Sequence, residues 1–359
     1  MKNDITIVFI LPNFGKGGAE RVISILTPEF LKMGYGVKIF LLFGEDVAYQ
    51  LPETVVIEKL SLSHYGKLVR VLKLRRKIKI EKRNNNKLIL VPFLNSILNT
   101  VVASKLFLGI PVVTSERSNP YLKGRSFIQR LRYSIPFLFI KKAVFQTIDA
   151  RNYFFIPQKK TTIIANPINA SSYDWEQNIN QHILITTCRL HSSKNLTMMV
   201  DVVDKLKEKF NDVKLFIYGE GPLKSEIEEY ISNKNLKKSV FLSGSTNNVH
   251  LQLSTASIFL STSNYEGISN SILEAMAVGM PMVCTDCPIG GTKMMLDEGC
   301  GMISPVGDTN AFVDNIEFIF GHPDEALKMA KRAKEKTKKY SSGNIAHEWV
   351  CVFEDFIKK

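Results

Sequence analysis

Twelve short apolar runs punctuate this chain, with helical patterns between them. "ITIVFILP", "GVKIFLLF", "KLILVPF", "IPVVTSE", "AVFQTI" and "TTIIAN" fall in the first half, and "HILITTCRL", "VKLFIYGEG", "SVFLSG", "ASIFLST", "PMVCTD" and "GCGMISPV" in the second. Runs this short and this apolar read as strands covered on both faces. In "AERVISILTPEFLKMG", Val22, Ile23, Leu26 and Phe30 recur at helical spacing and form one face of a helix. Strand–helix alternation predicts parallel sheets with helices on both faces, and two series of it predict an α/β chain of two doubly wound, Rossmann-like domains. The break falls in "ANPINASSYDWEQNINQ", residues 165–181, which is turn-rich and carries no core pattern. The expected division is 1–167, 168–340, and a C-terminal helix over 341–359 that packs back towards the N-terminal domain. That helix is amphipathic through Ile345, Trp349, Val352, Phe353 and Phe356.

At 359 residues, 45% hydrophobic and 23% charged, the chain can fill two globular cores. "MKNDITIVFIL" is too short in its apolar stretch for a secretory signal, and no stretch offers 18 clean apolar residues. Residues 88–114 are the most apolar, but Pro92, Asn95, Asn99, Lys105 and Pro111 break them into strand, helix and strand. Five cysteines are an odd number for a disulfide framework, so a reducing cytoplasm is expected. The net charge of +13 is unevenly placed: residues 1–167 hold 27 Lys and Arg against 10 Asp and Glu. An N-terminal half of that sign suits an anionic partner, nucleic acid or lipid. The stretch 67–83, "KLVRVLKLRRKIKIEKR", has nine basic residues and one acid, with Leu68, Val71, Leu72 and Ile78 as an apolar stripe. It reads either as a helix lying on an anionic membrane or as a solvated face over the core. "SFIQRLRYSIPFLFIKKAVF", near 126–145, mixes basic and apolar residues in a similar way. No basic motif interleaved with aromatics and no helix-turn-helix supports nucleic acid.

Chemistry-bearing residues cluster at the ends of strand-like runs. "YEGISNSILEAM" places Glu266 on a strand-to-helix loop and Glu274 in the first turns of a helix that Ser269 or Asn270 would cap and Gly279 and Pro281 would stop. The helix N-terminus between the two carboxylates can cradle a phosphate, which fits a ligand anionic at its middle and rich in hydroxyls at its ends. A loop glutamate in solvent and a first-turn glutamate favouring the helix dipole would leave the same pattern. "FGKGGAERV" brings Gly15, Gly17 and Gly18 to the start of the first helix, as a phosphate loop or a plain tight turn would. "TTCRLHSSKNL" sets Arg189 and Lys194 just past a strand, where two cations suit a diphosphate or simply border a turn. Cys284 and Cys287 of "CTDC" lack a second ligand pair at zinc spacing and read as incidental thiols. His64, His182, His191 and His250 form no spaced ligand set, and no Asp-x-Asp occurs.

Taken in order, these motifs resemble the retaining glycosyltransferases of family 4, which have the GT-B fold of two Rossmann-like domains with parallel sheets facing across a cleft. "GKGGAERV" resembles that family's glycine loop, "CRLHSSKNL" its phosphate motif, "IYGEGPLK" its Gly-x-Gly-Pro turn, and "EGISNSILEAMAVGMPMV" its two-glutamate signature. The resemblance implies that Glu266 binds the donor sugar and Glu274 the ribose. It implies that the amides of Ile268, Ser269 and Asn270 hold the diphosphate, while Arg189 and Lys194 neutralise the leaving nucleotide. Gly219, Gly221 and Asn248 fall on the donor side by the same likeness, and Gly17 and Gly18 close over the reacting centre. Where relatives resemble Ser-Glu-His-Ser, this chain has "TSERSNP", so Arg117 stands at the histidine's place and is expected on the acceptor side. The implied activity is metal-independent, cofactor-free transfer from a nucleotide sugar, a UDP-sugar, to a polyprenyl-diphosphate-linked saccharide for O-antigen, capsule or similar glycan. The enzyme would be peripheral at the inner face of an anionic membrane. A nucleotide-sugar epimerase of the same fold is the alternative, and a basic nucleic-acid-binding protein a remoter one.

Overall fold

The computed structural model describes residues 5–85, 87–124 and 126–356. The chain divides into two compact units, Met1–Pro167 with Ser342–Lys359, and Ile168–Ser341.

In the first unit, β1 (Ile5–Leu11) is buried at all seven positions and lies between β2 (Gly36–Leu41) and β4 (Lys87–Pro92), with β3 (Val56–Lys59) outside β2. All pairings are parallel. Beyond β4 the Leu90 amide donates to the Pro111 carbonyl at 3.1 Å and Leu90 bridges to Val112. That link leads on to β5 (Val113–Glu116), β6 (Lys142–Phe145) and β7 (Thr161–Ile163), again parallel. The strand direction of progression therefore reverses at β1 and β4, a topological switch point. The helix Gly18–Lys32 buries Val22, Ile23, Leu26 and Phe30 against this sheet, and Phe30 stacks on Phe9 at 6.0 Å. The helix Ser342–Glu354 belongs to this unit: Trp349 and Phe353 are fully buried, against Phe93 and Phe30 respectively.

In the second unit, β8 (Ile183–Thr187), β9 (Lys214–Tyr218), β10 (Val240–Gly244), β11 (Ile258–Ser261), β12 (Met282–Thr285) and β13 (Met302–Ser304) form one sheet in the order β10-β9-β8-β11-β12-β13. Its pairings are all parallel, and its switch point lies between β8 and β11.

Three local expectations change. β3 carries no continuous apolar run, because an edge strand leaves Val56 and Lys59 exposed and needs no second covered face. The helix Lys67–Asn84 buries Leu74, Ile78 and Glu81, so Leu68 and Leu72 of the expected stripe stand in solvent and only Ile78 of it reaches the core. The stretch 165–181 is no loose linker. The Trp175 indole donates to the Ala256 carbonyl at 2.8 Å and its amide to Val278 at 3.1 Å, while Ile168 bonds Tyr340. These are backbone anchors, which leave no periodic trace in a sequence.

Candidate functional site

Two loops meet at the switch point of the second sheet. After β8 the chain passes Cys188 and Arg189 into a single 3-10 turn, Ser192–Lys194, and Asn195 takes the left-handed conformation that starts the next helix. After β11 comes Thr262, whose hydroxyl donates to the carbonyls of Lys194 at 2.9 Å and Asn195 at 3.0 Å. The Asn264 amide adds a bond to the Ser193 carbonyl at 2.8 Å. These stitches bring the Lys194 ammonium onto the Glu266 carboxylate, to which Ser263 Oγ also donates at 3.2 Å. Both side chains of the pair are largely buried, at 15% and 18% exposure. Burial pushes the Lys194 ammonium below its ordinary pKa, and the charge of Arg189 acts the same way. Arg189 itself is exposed and makes no ion pair among the described residues.

The helix Asn270–Val278 follows directly. Ser269 sits at its N-cap but makes no side-chain capping bond; its hydroxyl faces Ser271 Oγ at 3.2 Å. Gly279 ends the helix at φ +74°, as its left-handed cap. Ile268, Ser269 and Glu274 are buried, and Glu274 approaches the end of β8, where Thr187 Oγ1 donates to its Oε2 at 3.4 Å. Both glutamates of the motif thus reach elements at the switch point: Glu266 the β8 loop through Lys194, Glu274 the β8 strand itself.

Gly219 and Gly221 serve the architecture of this site. A Cβ on Gly219 would lie 1.8 Å from the Cys188 carbonyl oxygen, and one on Gly221 2.3 Å from that of Leu190. Glycine there lets the β9 loop press on the segment that carries Arg189, with Leu190 bonded to the Glu220 carbonyl at 3.0 Å. Asn248 lies beyond β10, two strands out from β8. Its Oδ1 caps the Leu251 amide at 3.3 Å and its Nδ2 donates to Tyr173 at 3.0 Å, so the structure does not join it to the Lys194–Glu266 pair.

Gly17 and Gly18 open the first helix of the other unit. Gly17 is extended at φ −116°, and its carbonyl accepts from Tyr49 at 3.1 Å. Arg117, expected on the acceptor side, turns inward. Its Nη1 donates to Asn166 Oδ1 at 2.8 Å and its Nε to Ser115 Oγ at 2.6 Å. Its guanidinium lies 4.9 Å from the Phe93 ring centroid and 5.6 Å from that of Trp349. Burial pushes its pKa down to about 9. This guanidinium ties the end of β5 to the segment at Asn166 and to the C-terminal helix.

Several supporting residues escaped the sequence reading. Thr262 and Ser263 look like ordinary loop residues. Thr285 Oγ1 donates to the Ser263 carbonyl at 2.6 Å and Cys287 Sγ at 3.0 Å, so Cys287 holds the β11 loop in place. A Cβ on Gly291 would lie 1.8 Å from the Gly267 carbonyl oxygen; this glycine seats the loop carrying Glu266. The pair Gly290–Gly291, at the start of the short helix that follows β12, was the available signal for it. Among the described residues no three His, Cys, Asp or Glu side chains converge as a metal-ligand set.

Two doubly wound parallel sheets, with charged groups converging beyond the carboxyl ends of the strands, define the class of architecture. Known proteins narrow it. Residues 170–338 match the family model for glycosyl transferases group 1. A Campylobacter jejuni protein, N-acetylgalactosamine-N,N'-diacetylbacillosaminyl-diphospho-undecaprenol 4-alpha-N-acetylgalactosaminyltransferase, is 26% identical over 344 residues, which cover 91% of this chain and 92% of that protein. Anabaena HepE, solved in complex with UDP and glucose, superposes with a TM-score of 0.80 at 16% identity, over 97% of this chain and 99% of its own. Sucrose-phosphate synthase from Thermosynechococcus elongatus does so with a TM-score of 0.81 at 15% identity, over 98% and 99%. The fold is GT-B, the chain is a glycosyltransferase, and its likeness to the group 1 model lies in residues 170–338.

Proposed function

We propose that this protein is a retaining, metal-independent glycosyltransferase that moves a sugar from a UDP-sugar to a polyprenyl-diphosphate-linked saccharide in cell-surface polysaccharide biosynthesis. The observation that carries the donor half is the Lys194–Glu266 pair at the β8/β11 switch point, beside the start of the helix Asn270–Val278. In open parallel sheets this crevice is where ligands bind, and a helix N-terminus favours phosphate. On this reading Lys194 and Arg189 take the diphosphate, the amides of Ile268, Ser269 and Asn270 support it, Glu266 meets the sugar hydroxyls, and Glu274 meets the ribose. The anomeric carbon's bond to the diphosphate breaks on the face where the acceptor hydroxyl forms its new bond. The hydroxyl proton passes to the departing phosphate oxygen. Fixed cations at the leaving group supply the charge stabilisation for which other transferases use a metal.

The acceptor class is supported by the C. jejuni relative, whose name carries a diphospho-undecaprenol, and the donor nucleotide by the UDP in the HepE complex. No described helix is long and apolar enough to cross a membrane. A peripheral site of work at the inner face of the cell membrane fits the 27 basic against 10 acidic residues of 1–167.

The test incubates the protein in EDTA with a panel of UDP-sugars, with and without a polyprenyl-diphosphate disaccharide. UDP release that requires the acceptor, with an α-linked product from an α-linked donor by NMR, is expected. Interconversion of UDP-sugars without acceptor would make it an epimerase, inversion would remove the front-face step, and loss of activity in EDTA would restore a metal.

A further inference from the structure

A short helix in the N-terminal unit presents its apolar side outward. Phe127–Ser134 begins with a complete capping box, Ser126 Oγ accepting from the Gln129 amide at 3.3 Å and Gln129 Oε1 from the Ser126 amide at 3.2 Å. It is therefore folded before any partner arrives. Phe127 is 66% exposed and Ile128 77%, and Leu131 is exposed as well. The next turn, Ile135–Phe139, buries Pro136 and Phe137 while leaving Leu138 and Phe139 exposed. Phe155 joins this surface, its ring 5.1 Å from that of Phe127. These exposed apolar side chains follow one another along 127–139 and adjoin Phe155, and clustered exposure of this kind marks a site of contact with another surface.

The charges around the patch say what covers it. From Lys105 to Lys160 the sequence has two acids, Glu116 and Asp149, and Glu116 is buried. Lys105, Lys141 and Lys160 lie close enough to repel one another: burial first, then the other two ammonium groups, lowers the Lys105 pKa. Lys160 Nζ reaches the Leu138 carbonyl at 3.0 Å, and Arg130 lies over the Phe155 ring at 4.8 Å, so the cations border the apolar residues themselves. The basic helix Lys67–Asn84 is bonded to the segment that follows Lys105. Its Arg75 and Lys82 bond the carbonyls of Leu106 at 2.7 Å and Leu108 at 2.5 Å. Those bonds hold Phe107 outward at 97% exposure. A protein partner or second copy with a matching dry face would not call for a fringe so predominantly positive, in which Asp149 is the one exposed acid from Lys105 to Lys160. A bilayer with anionic headgroups asks for both features.

We propose that Phe127, Ile128, Leu131, Leu138, Phe139 and Phe107 insert into the interfacial layer of an anionic membrane, with the helix Lys67–Asn84 lying against the headgroups. Attachment then has two parts, a salt-sensitive attraction and a salt-resistant insertion. This relocates the apolar contact from the 67–83 stretch to the 127–139 segment. It rests on the transferase reading only for the reason a membrane is needed.

The experiment uses the full chain with phosphatidylcholine vesicles, alone or with phosphatidylglycerol, in low and high salt. Wild type should bind the anionic vesicles, and a fraction should stay bound in high salt. The triple variant Phe127→Ser, Ile128→Ser, Leu131→Ser should lose that fraction, with partition lowered roughly tenfold or more, while Arg76→Gln with Lys79→Gln and Arg83→Gln should weaken binding mainly in low salt. Phe127→Trp gives a second readout. The two native tryptophans, Trp175 and Trp349, are buried, so the new indole reports insertion by a blue shift and by quenching from brominated lipid. Unchanged high-salt partition of the triple variant, no quenching of the new indole, or a wild-type dimer that ignores vesicles and is broken by the triple change would each overturn the proposal. Acceptor-dependent transfer in detergent that survives such a failure would leave the enzyme reading standing. Insertion by a protein that transfers no sugar would sink that reading alone.

Discussion

Lys194 is bonded to Glu266, so on the proposed donor reading a diphosphate must take the ammonium from a carboxylate that already holds it. Glu266→Gln keeps the shape and removes the competing charge. A hydrogen bond to a charged group contributes about 1.5–3 kcal/mol and a neutral one about 0.5–1.5 kcal/mol, so the exchange costs about 1 kcal/mol less in the variant. Both side chains are mostly screened from solvent, at 15% and 18% exposure, which keeps the estimate from vanishing into water. One kcal/mol is about fivefold in affinity, so UDP should bind roughly five times more tightly to Glu266→Gln than to wild type. Turnover should fall in the same variant if Glu266 meets the donor sugar as proposed, because the sugar then loses its carboxylate partner. Tighter product binding with slower transfer is an unusual pair of effects, and a merely structural ion pair would give neither. Isothermal titration with UDP, alongside acceptor-dependent UDP release, reads both. Weaker or unchanged UDP binding in Glu266→Gln would refute the competition between carboxylate and phosphate for Lys194.

Glu274→Ala should weaken UDP by about 1.5–3 kcal/mol, as ribose hydroxyls lose a charged acceptor; equal affinity by calorimetry would refute the ribose assignment. Arg189→Ala should lower kcat more than it raises the donor KM, since an exposed cation at the proposed leaving-group site matters most as charge builds on the diphosphate; survival of kcat within a few-fold would end that role. Gly219→Ala combines φ +144° with a Cβ 1.8 Å from a backbone oxygen, and should destabilise the second unit by about 3 kcal/mol or more in denaturant titrations, with a wild-type midpoint as the contrary result. Burial alone would raise the Glu81 pKa, but bonds and charge from Lys38 and Lys77 outweigh it and hold it below the ordinary value. A depressed carboxyl stabilises the fold above its unfolded pKa and loses that contribution as pH falls through the folded one. Glu81→Gln should therefore flatten the acid limb of the stability profile, and an unaltered limb would show the cluster to be inert.

The parts of this protein that a sequence displays are those enforced by burial on two faces. β1 and β4 had to be continuous apolar runs because helices cover the sheet above and below, and "IFLS" at β11 announces itself the same way. The edge strand β3 is under no such demand and so left no run to see. In the helix Lys67–Asn84 the apolar positions outnumber those the core takes, and spacing alone could not say that Leu74 goes in while Leu68 and Leu72 stay out. That ambiguity follows from the surplus itself: apolar positions beyond those the core takes blur a single helical period.

The site shows a comparable split. Glu266, Glu274, Arg189 and Lys194 could be named because charged residues after apolar strands have few reasons to be there. Their pairing could not, since Thr262 and Gly291 act through backbone carbonyls that every residue possesses. A glycine is legible only as permission for close approach, and the sequence does not state what approaches. For Gly219 and Gly221 the neighbour is the Cys188–Leu190 segment of the same sheet, which makes them supports for Arg189 before they are anything to a ligand. Arg117 is the converse case. An arginine beside polar residues after a strand looks outward on paper, yet Phe93 and Trp349 offer it two ring faces and Asn166 an amide oxygen. Phe93, Ser115 and Asn166 lie within fifty positions of Arg117, but Trp349, the second ring, comes from more than two hundred positions away. Such a contact is settled by the return of the C-terminal helix, and a reading of "TSERSNP" alone had no access to it.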